Sequence, residues 1–349
     1  VNNDRRQRST LLQQVWPSVG RGSVRVGLRV QDHERGVPGV DGFSSRSSRL
    51  DERRENLNAS WSWRGEGWLR RADVQADGFR SISDFVDREG EIGIGSEDQT
   101  TRISGGGVSV TLGSRHGDHG TLFRLDARRE EASRRNRLLS QVDRGGAIRE
   151  LVALTAEETL RFGRWSVAPS LRWEHRNDEF RSGGAGTLPP PAEDVREGEG
   201  AGKVGVAYVV GERWRIRGSA GRFYRSPSMN ELFGDAGSIT GNPSLKAESG
   251  ESYELGFTYG NSKTVSGVEV VGFARDTEDL IRFQPASQGT ARAQNTVDVE
   301  IYGVEASVNL QFPAGWAAQV SGTWQSAEEA TGFAAGSQLP YESKLAGFA

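Results

Sequence analysis

WSVAPSLRW, residues Trp165–Trp173, and WAAQVSGTW, residues Trp316–Trp324, carry one design twice. In the first, Trp165, Val167, Pro169, Leu171 and Trp173 alternate with Ser166, Ala168, Ser170 and Arg172. In the second, Trp316, Ala318, Val320, Gly322 and Trp324 alternate with Ala317, Gln319, Ser321 and Thr323. A period of two is a strand with one apolar and one polar face. The tryptophans of each stretch are eight residues apart. At ~3.3 Å per residue and a tilt of roughly 40°, their rings stand about 20 Å apart along a barrel axis. An outer-membrane barrel has an apolar band ~25 Å tall between two aromatic girdles. A soluble sandwich strand with two core tryptophans is the competing reading of either stretch alone. Its recurrence favours the barrel.

Composition agrees. The 349 residues suffice for one large barrel or two soluble domains. A formal net charge of -3, from 44 basic and 47 acidic residues, gives no footprint for nucleic acid. No apolar run is long enough for a transmembrane helix. Low mean hydropathy is compatible with a barrel that shows lipid only half of each strand. The absence of cysteine removes thiol chemistry, disulfides and Cys-based zinc sites. With 46 glycines and 11 prolines, the chain suits many turns rather than long helices.

Apolar alternation continues outward from the two quoted stretches. Val24, Val26, Leu28 and Val30 form one such face, and Leu57, Ala59, Trp61 and Trp63 another. Val204, Val206, Tyr208 and Val210 are followed by Gly211-Glu212-Arg213 and then Trp214, Ile216, Gly218 and Ala220. Tyr253, Leu255, Phe257 and Tyr259, and Tyr302, Val304, Ala306, Val308 and Leu310, repeat the pattern. Short turns alternate with long polar segments, such as 32–55, 79–100, the Arg-rich 132–146, 177–200 and 225–250. About 15 strands with long connections at one end are expected. The opposite face is polar: Arg215, Arg217 and Ser219; Glu254 and Thr258; Glu305, Ser307, Asn309 and Gln311. That implies a wet or plugged interior. Val265–Phe283 reads as one strand whose upper end, with Arg275, Asp276, Glu278 and Asp279, projects beyond the bilayer. Glu158 falls on the apolar face of its strand, which predicts a bulge or a shifted register there. Thr121–Glu131 is weakly patterned.

The most specific stretch is GRFYRSPSMNELFGDAGSITGNPSLKAESGESYELG, residues Gly221–Gly256. Ser226, Pro227, Glu231 and Leu232 close a strand. Gly241, Asn242, Pro243, Leu245 and Glu248 mark the loop, and Tyr253, Glu254, Leu255 and Gly256 open the next strand. This order resembles the C-terminal barrel signature of TonB-dependent outer-membrane receptors. Asp279-Leu280-Ile281, Asn295 and Gly303-Val304-Glu305 extend the resemblance. Leu339-Pro340-Tyr341 looks like a late family segment, with Glu342 and Ser343 departing from it. Gly36-Val37-Pro38-Gly39 resembles an early-barrel loop. The signature residues read mainly as structural: Ser226-Pro227 and Asn242-Pro243 as turn formers, Glu248 and Glu254 as acceptors for loop backbone, Gly256 and Gly303 as relief of crowding.

The resemblance implies an all-β, antiparallel, up-and-down transmembrane barrel in the outer membrane of a Gram-negative bacterium. The family barrel has 22 strands, so residues 1–349 are expected to be a partial barrel, truncated at both ends and without the plug domain. The implied function is receptor-mediated uptake of a scarce nutrient such as a ferric siderophore, cobalamin or haem, without enzyme activity and without a cofactor. Implied partners are outer-membrane lipid, lipopolysaccharide, the nutrient, and the TonB complex acting through the plug. Candidate ligand contacts are Arg225, Asn230, Asp235 and Arg282. A passive porin-like channel and a soluble all-β binding protein are the alternatives. His116 and His119 have metal-ligand chemistry but lie in an expected short turn with no further clustered ligands. Gly93-Ile-Gly95 lacks the following helix that a phosphate loop needs. Arg134-Arg135-Asn136-Arg137 is expected in an extracellular loop, solvated or facing lipopolysaccharide phosphate.

Overall fold

The computed structural model describes residues 4–19, 21–37, 39–40, 43–92, 95–138, 142–181, 194–234, 239–260, 267–286, 291–312, 316–332, 335–339 and 343–348. Fifteen strands form one sheet in chain order, every pair antiparallel. They are Arg5–Val19, Gly22–Gly36, Arg49–Arg64, Leu69–Asp87, Glu97–His116, His119–Asn136, Val142–Phe162, Trp165–Arg181, Val195–Val210, Trp214–Arg225, Glu248–Gly260, Gly267–Glu278, Val299–Gln311, Ala317–Glu329 and Leu345–Phe348. The first and last of these are sheet edges and do not pair with each other. The wall is therefore the curved part of a barrel, left open among the described residues.

Period two decides which way each residue points. Large apolar side chains on one face lie open: Leu171 is 70% exposed, Phe123 58% and Leu57 53%. A face this apolar is unstable in water and at home in hydrocarbon. The aromatic girdles form in register. Trp165 stands opposite Tyr208 with ring centroids 4.5 Å apart, and Trp214 opposite Tyr259 at 4.6 Å. At the other edge of the band, Tyr302 and Trp324 lie 6.1 Å apart, and Trp173 stacks on His175. The doubled tryptophans thus mark the two edges of one belt.

Several strands outrun the sequence reading. The ladder continues to Asp87, restarts at Glu97, and spans 132–136 and 142–146, where a loop was expected. The short turn expected to hold His116 and His119 shrinks to Gly117-Asp118, since the flanking strands run to His116 and from His119. Above the bilayer both faces of a strand are wet, so the hydropathy signal vanishes while the backbone ladder persists. Register also runs unbroken past Glu158, against the expected bulge. Glu158 faces Thr121, and the neighbouring Glu157 faces Ser170. Glu158 keeps its outward place near the short-connection end, where the Thr121 hydroxyl donates to it at 2.5 Å. Val265–Phe283 is not one strand. The wall strand ends at Glu278, Asp279 adopts φ 54°, and Ile281–Pro285 joins Ala291–Asn295 and Ile239–Thr240 in a separate three-stranded sheet.

Candidate functional site

The opposite face of the wall is charged. Along Trp165–Arg181 the residues Arg172, Glu174, Arg176 and Asp178 share it. Arg149, across the ladder, grips Asp178 with two nitrogens at 2.6 and 2.8 Å. Their side chains are 7% and 4% exposed. Arg176 pairs with Asp178 at 3.4 Å and also with Glu197. Arg172 reaches Glu174 at 3.0 Å, Asp126 at 3.3 Å and the Tyr224 hydroxyl at 3.3 Å. Arg124 and the Ser109 hydroxyl complete the shell of Asp126. Further along the wall, Glu254 accepts from Ser219 and pairs with Lys203, and Arg217 pairs with Glu269. Strand alternation placed like and unlike charges on one surface, where they pair both along and across strands.

A loop folds onto this inner surface. Arg225 ends its strand and holds Glu231 at 3.0 Å and Glu248 at 2.7 Å. The short helix Met229–Phe233 starts in a capping box: Ser228 accepts from the Glu231 backbone, and Glu231 accepts from the Ser228 backbone at 2.7 Å. Burial pushes the Glu231 carboxyl up, but Arg225 and the Ser228 backbone outweigh it and hold it below its ordinary value. The Arg225 guanidinium is pushed up, first by its bonds to Glu248. Glu248 also accepts from the Ile281 backbone at 2.7 Å. Asn242 donates to the Ala293 carbonyl, and Asn295 to the Asp279 and Lys246 carbonyls. These bonds join the loop to the three-stranded sheet.

Apolar packing fixes the direction of the fold. Met229, Leu232, Phe233, Leu245, Ile281 and Ala293 form one cluster with Ala132 and Ala147, flanked by Ile103 and Phe180. Ala147 faces Phe180 and Ala132 across the ladders, on the same face as Arg149 and Asp178. Phe180 stacks on Phe233 with centroids 6.3 Å apart. Arg149 donates its third bond, 2.6 Å, to the Pro227 carbonyl. The loop is therefore a cap turned into the mouth of the barrel, seated on its inner wall.

The signature residues gather here or line the wall. Ser226 donates to Glu174 at 3.3 Å. Leu232 and Leu245 are core. A Cβ on Gly241 would lie 2.4 Å from the Leu232 carbonyl oxygen, and one on Gly303 would lie 2.4 Å from that of Trp324. A Cβ on Gly256 would lie 3.0 Å from the Arg217 side chain. Tyr253 and Leu255 point to lipid. Glu254 meets side chains rather than the loop backbone expected of it. Glu305 shares the inner face. Among the candidate contacts, Arg225 is committed to Glu231 and Glu248, and Arg282 pairs with Glu329 at 2.9 Å. Asn230 is exposed on the cap helix. Asp235 lies outside the described residues, as do Pro38, Pro340, Tyr341 and Glu342.

The Arg-rich run is corrected: Arg134 to Asn136 are strand, not loop. Arg134 lies over the Phe233 ring at 5.9 Å, and Arg137 binds Asp98 and Asp84 at 2.6 and 3.0 Å. At the strand start beside the short turn, His119 Nδ1 accepts from the Arg161 backbone at 3.1 Å. The sequence reading missed Arg149, Arg172, Glu174, Arg176 and Asp178. For all but Arg149 the signal was present, in charges spaced by two along RWEHRNDEF.

On the extracellular-type side, a second clasp joins two loops. The Glu91 carboxylate accepts from the backbone of Arg46 and Ser47 and from the hydroxyls of Ser45, Ser47 and Ser48, at 2.8 to 3.3 Å. These bonds, led by the Ser47 backbone, hold the carboxyl at about 2, against the opposing push of desolvation.

Residues 2–348 match the family described as TonB dependent receptor-like, beta-barrel, and the chain belongs to that family. Among solved structures it is similar to the FrpB iron transporter from Neisseria meningitidis (F5-1 variant, apoprotein form), with 16% identity and a TM-score of 0.70 over 93% of this chain and 52% of that one. It is also similar to the copper transporter OprC, with 15% identity and a TM-score of 0.76 over 93% and 54%. For the ferric yersiniabactin uptake receptor FyuA from Yersinia pestis the values are 14% and 0.72 over 98% and 55%. At these identities the likeness is one of fold, and the chain spans about half the length of the solved structures it matches. Family and belt together place the wall in the outer membrane of a Gram-negative bacterium.

Proposed function

We propose that residues 1–349 form part of the barrel of a longer receptor that takes up a scarce nutrient, with energy delivered by the TonB complex through a plug domain. The observation that carries this reading is the pairing of two unlike surfaces: a lipid-facing belt outside, and inside a charged wall under an inward cap. A charged inner wall suits a polar plug and a polar, chelated cargo better than a dry core. The structurally similar proteins are described as iron, copper and ferric-siderophore transporters, which supports a metal chelate as the cargo class. Ligand contacts come from the solvent side of the cap, with Asn230 the best placed of the four candidates. Arg225 holds the cap in shape.

The test is uptake by cells expressing the full-length receptor, using a panel of radiolabelled metal chelates, with and without TonB. TonB-dependent uptake of one chelate supports the reading. Equal, unsaturable passage without TonB would make the protein a passive channel.

A further inference from the structure

The Glu91 clasp closes on a loop built to hold an anion. In residues 45–48 the backbone N–H groups of Arg46 and Ser47 converge with the hydroxyls of Ser45, Ser47 and Ser48. Successive N–H groups turned to one side make an anion-binding concavity. All five donors fall on a single atom, Glu91 Oε2, at 2.8 to 3.3 Å. Glu91 Oε1 receives only the shared Arg46 N–H, at 3.0 Å. A carboxylate oxygen offers about two lone-pair sites. The loop therefore presents more donors than that oxygen can accept. The several oxygens of a tetrahedral anion would divide them.

The concavity also keeps its shape by bonds that bypass Glu91. The Ser48 N–H donates to the Ser45 hydroxyl at 3.0 Å, and the Ser48 carbonyl accepts from the Val37 backbone at 3.0 Å. Leu50 faces Phe85 across the ladder and packs with it and Ile92. Alternation puts Leu50 on the face of Asn56 and Asn58, opposite Leu57 and Trp61, so the clasp lies on the lumen side of the mouth, away from lipid. Glu91 is fastened by its backbone: its N–H and that of Ile92 donate to the Asp87 carboxylate at 2.9 and 2.6 Å. Only the Glu91 side chain must rotate to vacate the loop. The entrance is open, since Arg46 and Ser47 are exposed. Arg49 and Arg88 pair with Asp4 and Asp98. The Arg46 guanidinium forms no ion pair among the described residues and stands beside the concavity as an uncommitted cation.

We propose that the 45–48 loop is a site for a small tetrahedral oxyanion, inorganic phosphate or sulfate, and that Glu91 is its built-in competitor. The anion takes the five donors, Arg46 closes over it through charge-assisted hydrogen bonds, and the Glu91 side chain turns out into solvent. The join between the 45–48 and 88–92 loops then opens, while Ile92 keeps its apolar seat. The clasp also sets the affinity, because a site open in only a fraction of molecules binds more weakly by that fraction. The proposal depends neither on the cargo nor on the plug.

The experiment uses the full-length receptor in detergent, dialysed to equilibrium against radiolabelled inorganic phosphate at fixed ionic strength. Glu91→Ala binds one phosphate at least about ten-fold more tightly than the wild-type protein, because the competitor is gone. Glu91→Gln, which keeps the size and loses the charge, gains less. Adding Arg46→Ala and Ser47→Ala, both at exposed positions, to Glu91→Ala removes most of the gain. Sulfate displaces the label, and its strength as a competitor tells which ion the loop prefers; acetate at the same concentration leaves the label bound. Hydrogen exchange over 45–48 rises in Glu91→Ala and falls again when phosphate is added. Heat-modifiable gel mobility reports that each barrel is folded. Equal phosphate binding by the wild-type protein and the folded Glu91 variants would overturn the proposal. So would a gain that survives Arg46→Ala and Ser47→Ala, which would place the ion elsewhere. Displacement by acetate as effective as by sulfate would also overturn it and leave the loop a carboxylate clasp.

Discussion

The belt and the cap are built on opposite principles. In the belt, each outward side chain meets lipid and one or two neighbours, and the backbone ladder carries the structure. In the cap, a few charges carry it: Arg149 fastens the Pro227 carbonyl to the wall, and Arg225 joins two carboxylates from either end of the loop. The belt spreads its stability over many small terms, whereas the cap concentrates it in contacts that fail together. Belt substitutions should therefore be mild and additive, cap substitutions severe and cooperative.

Four measurements on the full-length receptor would break or sharpen that contrast. The largest effect is expected for Arg149→Leu, which leaves Asp178 buried beside Arg176 alone and frees the Pro227 carbonyl. Removing one partner of a buried pair costs about 3–5 kcal/mol. Hydrogen exchange across 226–234 should rise while the belt strands stay protected. If the cap keeps its protection, the inner wall does not hold it. Arg225→Ala comes next. Arg225 is 40% exposed on its side chain, so water screens part of the loss and about 2–3 kcal/mol is expected. Limited proteolysis within 226–247, together with nutrient uptake, reads the outcome; intact loops and normal uptake would deny it a positioning role.

Acid should act on the loops before the belt. The Glu91 carboxyl sits at about 2 when clasped, against an ordinary 4.5. The folded loops thus bind fewer protons than the unfolded ones, and the clasp contributes fully above about 4.5 and is lost as pH falls through about 2. Exchange at Ser45–Ser48 should rise over that window, and Glu91→Gln should show the raised exchange already at neutral pH. A flat profile in the wild-type protein would mean the serine loop is ordered without Glu91. The smallest effect is expected for Leu171→Ala. Its side chain is 70% exposed to a medium as apolar as itself. Barrel stability should change by no more than about 0.5 kcal/mol, as measured by urea unfolding in lipid. A large loss would show that the belt packs like a core.

The same contrast explains what could be read in advance. Trp165–Trp173 disclosed a belt because a strand turns alternate residues to opposite sides, whatever lies far away. The signature from Ser226 to Gly256 disclosed the family and the turn residues. Strand tops at 132–136 and 142–146 stayed hidden, because polar residues on two wet faces leave no alternation in hydropathy. Asp279 hid the end of a strand for a related reason: its left-handed backbone is set by the loops that meet there, with Asp298 accepting from its N–H.

By itself, then, the chain's order of residues determined the all-β wall, its two aromatic edges, the polarity of its two faces and the family. Only tertiary structure decided that the Arg225–Glu248 loop turns inward, and which charge answers which. Alternation is a property of the local backbone and is written in neighbouring residues. Arg149 and Pro227 are 78 positions apart, and no local pattern can name a partner that only the closing of the wall brings within 3 Å.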